Sequence, residues 1–162
     1  MIRLSRTALA RLPLLLLLLL GVSLGAAAPA APVAAAEKRH APEGIGAAGY
    51  DPVAYFTDGK AVRGSEQIAA EHEGVTYRFA SAEHRALFQA APATYLPQYG
   101  GFCAYAAAKG ALAPTDPEAF TVLGGKLYLN YSQDVRKRWL PRAGEYIREA
   151  DGNWPRLGAG AE

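Results

Sequence analysis

The first 36 residues limit the size of whatever folds behind them. Arg3, Arg6 and Arg11 stand there without an acid, Leu12 to Leu24 is interrupted only by Pro13, Gly21 and Ser23, and small residues follow at once. This is the layout of a signal peptide, with cleavage expected after Ala36 or Ala30. The apolar run falls short of the roughly 18 residues a membrane span requires, so no stable membrane insertion is expected after cleavage. No cysteine follows the run to carry a lipid. The remaining chain of about 125 residues has room for one domain with one modest core. The expected location is the periplasm or the extracellular space.

That compartment favours disulfides, yet the chain has a single cysteine, Cys103, and no internal pairing is possible. Stability must come from packing, or from packing and a metal. Met1 is the only methionine and leaves with the leader, which excludes methionine-rich copper sites and blue-copper sites with an axial Met. Cleavage also removes three basic residues and no acid, leaving 14 basic against 15 acidic residues and a net charge near −1. A nearly neutral domain lacks the electrostatic footprint of a nucleic-acid binder, and Arg136, Lys137 and Arg138 read as one solvated helix face.

Residues 37–48 are rich in Ala, Pro and Gly around a charged patch and read as a flexible linker. The domain is expected over residues 49–157, with a disordered tail at 158–162. Val53 to Phe56 suggests a strand, and Asp58-Gly59 a turn. Ser65 to Ala70 suggests a helical turn. Glu73-Gly74 suggests a tight turn before Val75, Tyr77 and Phe79, which alternate as in a half-buried strand. Ser81 fits a helix N-cap, with Glu83 suiting the dipole and His84, Leu87 and Phe88 sharing the apolar face. Pro92 and Tyr95 open a further helical turn, and Gly124-Gly125 between two apolar runs predicts a hairpin. Asn130 or Ser132 caps a final helix that breaks near Pro141 and resumes to about Gly152. Strands without βαβ alternation, interspersed short helices and a C-terminal helix predict a small single-domain α+β fold.

The chemistry-bearing residues cluster in two blocks, Gly49 to Phe56 and Tyr77 to Tyr105. Asp51, Pro52, Val53, Tyr77, Phe79, Ser81, Phe88, Pro92 and Tyr95 stand at the spacings of the YHS domain family. The stretch from Gly49 to Trp154-Pro155, including Tyr99 to Tyr105, resembles its exported single-domain members. In the metal-handling branch three cysteines accompany these positions; here they fall on Ala54, Ala80 and His84. The resemblance thus implies metal handling with an altered ligand set.

Cys103 and His84 are the leading metal candidates because thiolate and imidazole suit copper and zinc, with Asp51 and His72 available to complete a site. Gly100-Gly101 permits a close backbone approach that would bring Cys103 toward the helix carrying His84. Cys103 also reads as a buried small hydrophobe, or as a reactive thiol assisted by His84. The nine tyrosines read as core edges with wet hydroxyls. Phosphate loops, Gly-x-Ser-x-Gly, His-Glu-x-x-His and Cys-x-x-Cys are absent, so no nucleotide or organic cofactor is expected. The leading expectation is an exported accessory that binds copper or zinc. The alternatives are a thiol-dependent redox protein and a structural interaction module.

Overall fold

A computed structural model describes residues 37–159. The leader expected over residues 1–36, and residues 160–162 of the expected tail, lie outside the described residues. The fold is α+β, as the sequence predicts. It contains two antiparallel hairpins, each a separate two-stranded sheet, with short helices between them and a long helix at the C-terminal end.

The first hairpin pairs β1 (Ser65–His72) with β2 (Val75–Phe79), and the second pairs β3 (Asp116–Leu123) with β4 (Lys126–Asn130). Both turn through two residues of positive φ, Glu73-Gly74 at 49° and 75° and Gly124-Gly125 at 59° and 71°. Turns of this hand match the strand twist. Val75, Tyr77 and Phe79 are buried on alternate positions as expected. β1 corrects the helical turn expected at Ser65 to Ala70. Its Glu, Gln and Ala residues favour a helix locally, but Ala69 to His72 pair with β2, and pairing outweighs a weak propensity.

The strand expected at Val53 to Phe56 is instead the helical turn α1 (Ala54–Thr57). Asp51 is responsible: its Oδ1 accepts the backbone N–H groups of Val53 at 2.8 Å and Ala54 at 3.3 Å, gathering the first free donors of a helix. Ser81 caps α2 (Ala82–Ala90) by accepting the His84 N–H at 3.1 Å. Phe88 is buried against Tyr77 and Phe79, whereas Leu87, expected beside it in the core, is 38% exposed. A nine-residue helix lying on one hairpin buries a narrow stripe, and Leu87 falls outside it.

After α3 (Pro92–Tyr95) the chain makes a 3₁₀ turn at Tyr99–Gly101 and enters α4 (Ala104–Ala108), for which no sequence expectation existed. Ser132 caps α5 (Gln133–Trp139), and Pro141 sits in a 3₁₀ break before α6 (Ala143–Leu157). α6 runs past Gly152, where an end was expected. α4, α5, α6 and Tyr128 of β4 enclose the largest apolar cluster, around Trp139, Tyr146 and Ala150. The second gathers Val53 with the inward face of β2, Phe88 and Leu96, and the third joins Tyr55 to Leu127 and Leu129.

Residues 37–48 are not the free linker that their composition suggests. The Lys38 N–H donates to the Gly158 carbonyl and the His40 N–H to the Gly100 carbonyl, both at 2.8 Å, and Ala47 is buried. Gly158, expected in the tail, is therefore part of the domain. These contacts also explain Gly100. It has φ +59°, and a Cβ there would stand 2.1 Å from the Lys38 carbonyl oxygen. The close approach read from Gly100-Gly101 serves the N-terminal segment.

Candidate functional site

Asp51 and His84 form one unit. Asp51 is fully buried at 0% exposure. Besides the two α1 donors on Oδ1, its Oδ2 accepts the Ala80 N–H at 2.8 Å and lies 2.7 Å from Nδ1 of His84. A carboxylate is acceptor-only, so Nδ1 carries the proton and donates, which leaves Nε2 of the neutral ring with its lone pair. His84 is held at the start of α2 by its own backbone bond to Ser81 and by its ring bond to Asp51. Its side chain is 14% exposed, so the ring is packed but not sealed from solvent.

Beside Nε2 stand Thr57 and Asp58, the end of α1 and the residue after it. Thr57 Oγ1 is 3.3 Å from Nε2, 2.8 Å from Asp58 Oδ1 and 3.2 Å from the Val53 carbonyl oxygen. A hydroxyl has one proton to donate, and Asp58 is its nearest acceptor, so the Nε2 lone pair stays available to an incoming group. Asp58 Oδ1 lies 3.9 Å from Nε2 and its side chain is 40% exposed. Imidazole and carboxylate therefore share an accessible corner. In the sequence Asp58 reads only as a turn residue and Thr57 carries no signal; no spacing rule links either to His84, because the contact joins segments that only the fold brings together.

Cys103 is elsewhere in the hydrogen-bond pattern. Its N–H donates to the Ala113 carbonyl at 3.0 Å, its Sγ accepts the Tyr131 N–H at 3.3 Å, and its thiol donates to Asn130 Oδ1 at 3.8 Å. It is 1% exposed and shares no hydrogen-bond partner with His84. Asn130 is also fully buried, and its Nδ2 has no partner among the described residues. His72 ends β1 beside the hairpin turn, with its ring 5.9 Å from that of Phe88 and Nε2 3.9 Å from Glu73. Among the described residues, no group of three or more His, Cys, Asp or Glu side chains is placed to hold a metal ion. The structure thus brings Asp51 and His84 together and leaves Cys103 and His72 outside their cluster.

Tyr55, Tyr77, Tyr99, Tyr128 and Tyr146 are buried packing residues, and the hydroxyls of Tyr55 and Tyr99 are anchored by hydrogen bonds. Tyr55 donates to the Pro117 carbonyl at 3.0 Å, and burial pushes its phenol well above the ordinary value, so it remains a donor. No helix among the described residues is long and apolar enough to cross a membrane. No protein-family model, curated protein or solved structure matches the chain.

Proposed function

We propose that this chain is an exported accessory domain of the YHS type, periplasmic or secreted, that binds one copper or zinc ion through Nε2 of His84. The observation that carries the reading is the 2.7 Å contact between buried Asp51 and Nδ1 of His84. A carboxylate on the far nitrogen orients a metal-binding imidazole and raises its basicity. Asp58 supplies the second protein ligand, an oxygen, at the same corner, with water or a partner's groups completing the coordination. Two protein ligands hold a metal exchangeably, which suits a carrier better than a store.

Nitrogen and oxygen ligands favour Cu(II) and Zn(II) over Cu(I), which would have needed the thiolate. The thiol-dependent alternative has little support from a sulfur that is buried and already hydrogen-bonded.

The test is titration calorimetry with Cu(II) and Zn(II), with elemental analysis of protein recovered from its own compartment. His84→Ala should abolish binding, Asp58→Asn should weaken it, and Cys103→Ser should leave it unchanged. Equal binding by His84→Ala would defeat the proposal. A second reading rests on the four hydrogen bonds that Asp51 already accepts, which are enough to explain the pair as a clamp between α1 and α2. That reading predicts no bound metal and a loss of stability only.

A further inference from the structure

A cleft of about 370 Å³ lies between the 3₁₀ turn Tyr99–Gly101 and the last turns of α6. That volume is at the small end of the range for organic ligands. Leu96 and Pro97 are buried along it, and Trp154 forms an aromatic wall. Gly158 packs against the indole so tightly that a Cβ would come 2.6 Å from Cε2, and Tyr99 stands edge-on at 5.8 Å. The ring is therefore held in place.

The polar side chains lining it are the carboxylates of Glu37 and Asp151, the amide of Gln98, the Tyr99 hydroxyl and the Arg39 guanidinium. Tyr99 donates its single proton to Asp151 Oδ1 at 2.9 Å, which leaves Oδ2 open. Burial first, and then this bond, pushes the phenol well above its ordinary value, so it stays a donor to the carboxylate. Asp151 makes no salt bridge among the described residues. Four residues later stands Pro155, inside α6 and also lining the cleft. Proline has no N–H, so the helical bond that would close on the Asp151 carbonyl is missing. One residue thus presents both a carboxylate oxygen and a carbonyl relieved of its usual donor. The cation at the rim, Arg39, is already engaged by Glu37 at 3.5 Å and by Glu73, and Glu37 also accepts the Trp154 indole N–H.

We propose that this cleft binds a small organic ammonium ion, its N–H donors on Asp151 and its apolar arm against Trp154, Leu96 and Pro97. An ammonium offers three donors and no acceptor, the complement of what Asp151 presents, and an aromatic face attracts the same charge. An anion meets two carboxylates there, and a neutral ligand leaves the Asp151 charge unmatched.

The probe is phenethylamine, titrated into the protein while tryptophan emission is followed, with 2-phenylethanol as the neutral comparator of similar shape. The amine should give a saturable change, the alcohol should bind at least tenfold more weakly, and Asp151→Asn should lose at least tenfold in amine affinity. Trp154→Phe should remove the signal, because the other tryptophan, Trp139, is fully buried. Equal affinity for amine and alcohol, an Asp151→Asn variant that binds the amine as wild type does, a signal that persists without Trp154, or no saturable response would each overturn the proposal. If circular dichroism shows Asp151→Asn unfolded, the amine-to-alcohol ratio in the wild type decides alone.

Discussion

Replacing Asp51 by asparagine separates the two tasks of its carboxylate, holding α1 and setting the His84 tautomer. Four donors converge on that carboxylate: the N–H groups of Val53, Ala54 and Ala80, and Nδ1 of His84. Asp51→Ala strands all four, and each buried donor left without a partner costs about 1–3 kcal/mol, so this variant should lose more than Asp51→Asn. In Asp51→Asn the amide oxygen still accepts from Val53 and Ala54, while the NH₂ group faces Ala80 and His84. The Ala80 N–H has no alternative partner and is left unsatisfied at about 1–3 kcal/mol. The imidazole does have an alternative: it turns Nδ1 into an acceptor and moves its proton to Nε2. The Asn variant should therefore stay folded, lose about 1–3 kcal/mol in a urea titration, and show the opposite His84 tautomer in the ring ¹⁵N shifts. It should also lose about 10–100-fold in metal affinity, although the imidazole remains. Losses under about 0.5 kcal/mol for both variants would refute the hydrogen-bond accounting, since that is the scale of a neutral surface change. An unchanged tautomer in Asp51→Asn would refute the role given to the carboxylate.

Three further outcomes follow from the packing. Phe88→Ala should cost about 3–5 kcal/mol in denaturant, whereas Leu87→Ala, its half-exposed neighbour, should stay within about 0.5 kcal/mol; comparable losses would mean that α2 has been faced the wrong way. Gly100→Ala puts a side chain at positive φ and against the Lys38 carbonyl, so it should cost about 1–3 kcal/mol and expose residues 37–40 to protease, while unchanged cleavage would contradict the docking of that segment. Burial holds the His40 imidazole below its ordinary value of about 6.5. The unfolded chain thus takes up the proton first, and stability should fall as pH drops through that value toward the lower folded one, with no contribution above it. His40→Gln should flatten this part of a stability-against-pH profile, and an unchanged slope would show that the loss belongs to other groups.

Much of the local structure was determined by the sequence alone. The Ser81 and Ser132 caps, the Glu73-Gly74 and Gly124-Gly125 turns, the alternation of Val75, Tyr77 and Phe79 and the break at Pro141 all depend on residues within about four positions of one another. The same kind of reading found Asp51 and His84 as candidates by residue type and spacing. It could not pair them, because the 2.7 Å contact joins segments 33 residues apart, and it could not place Thr57 and Asp58 at the Nε2 corner. Tertiary structure decided these matters, and it overrode local preference where the two conflicted. β1 is a strand because β2 supplies its partners, and Val53 to Phe56 turns into a helix because a buried carboxylate collects its N–H groups. Residues 37–48 look like a linker by composition, yet Gly100 and Gly158 offer carbonyls that only the folded chain brings within reach. Short-range stereochemistry is written in neighbouring residues, whereas a hydrogen bond across the fold depends on every element that brings its two ends together.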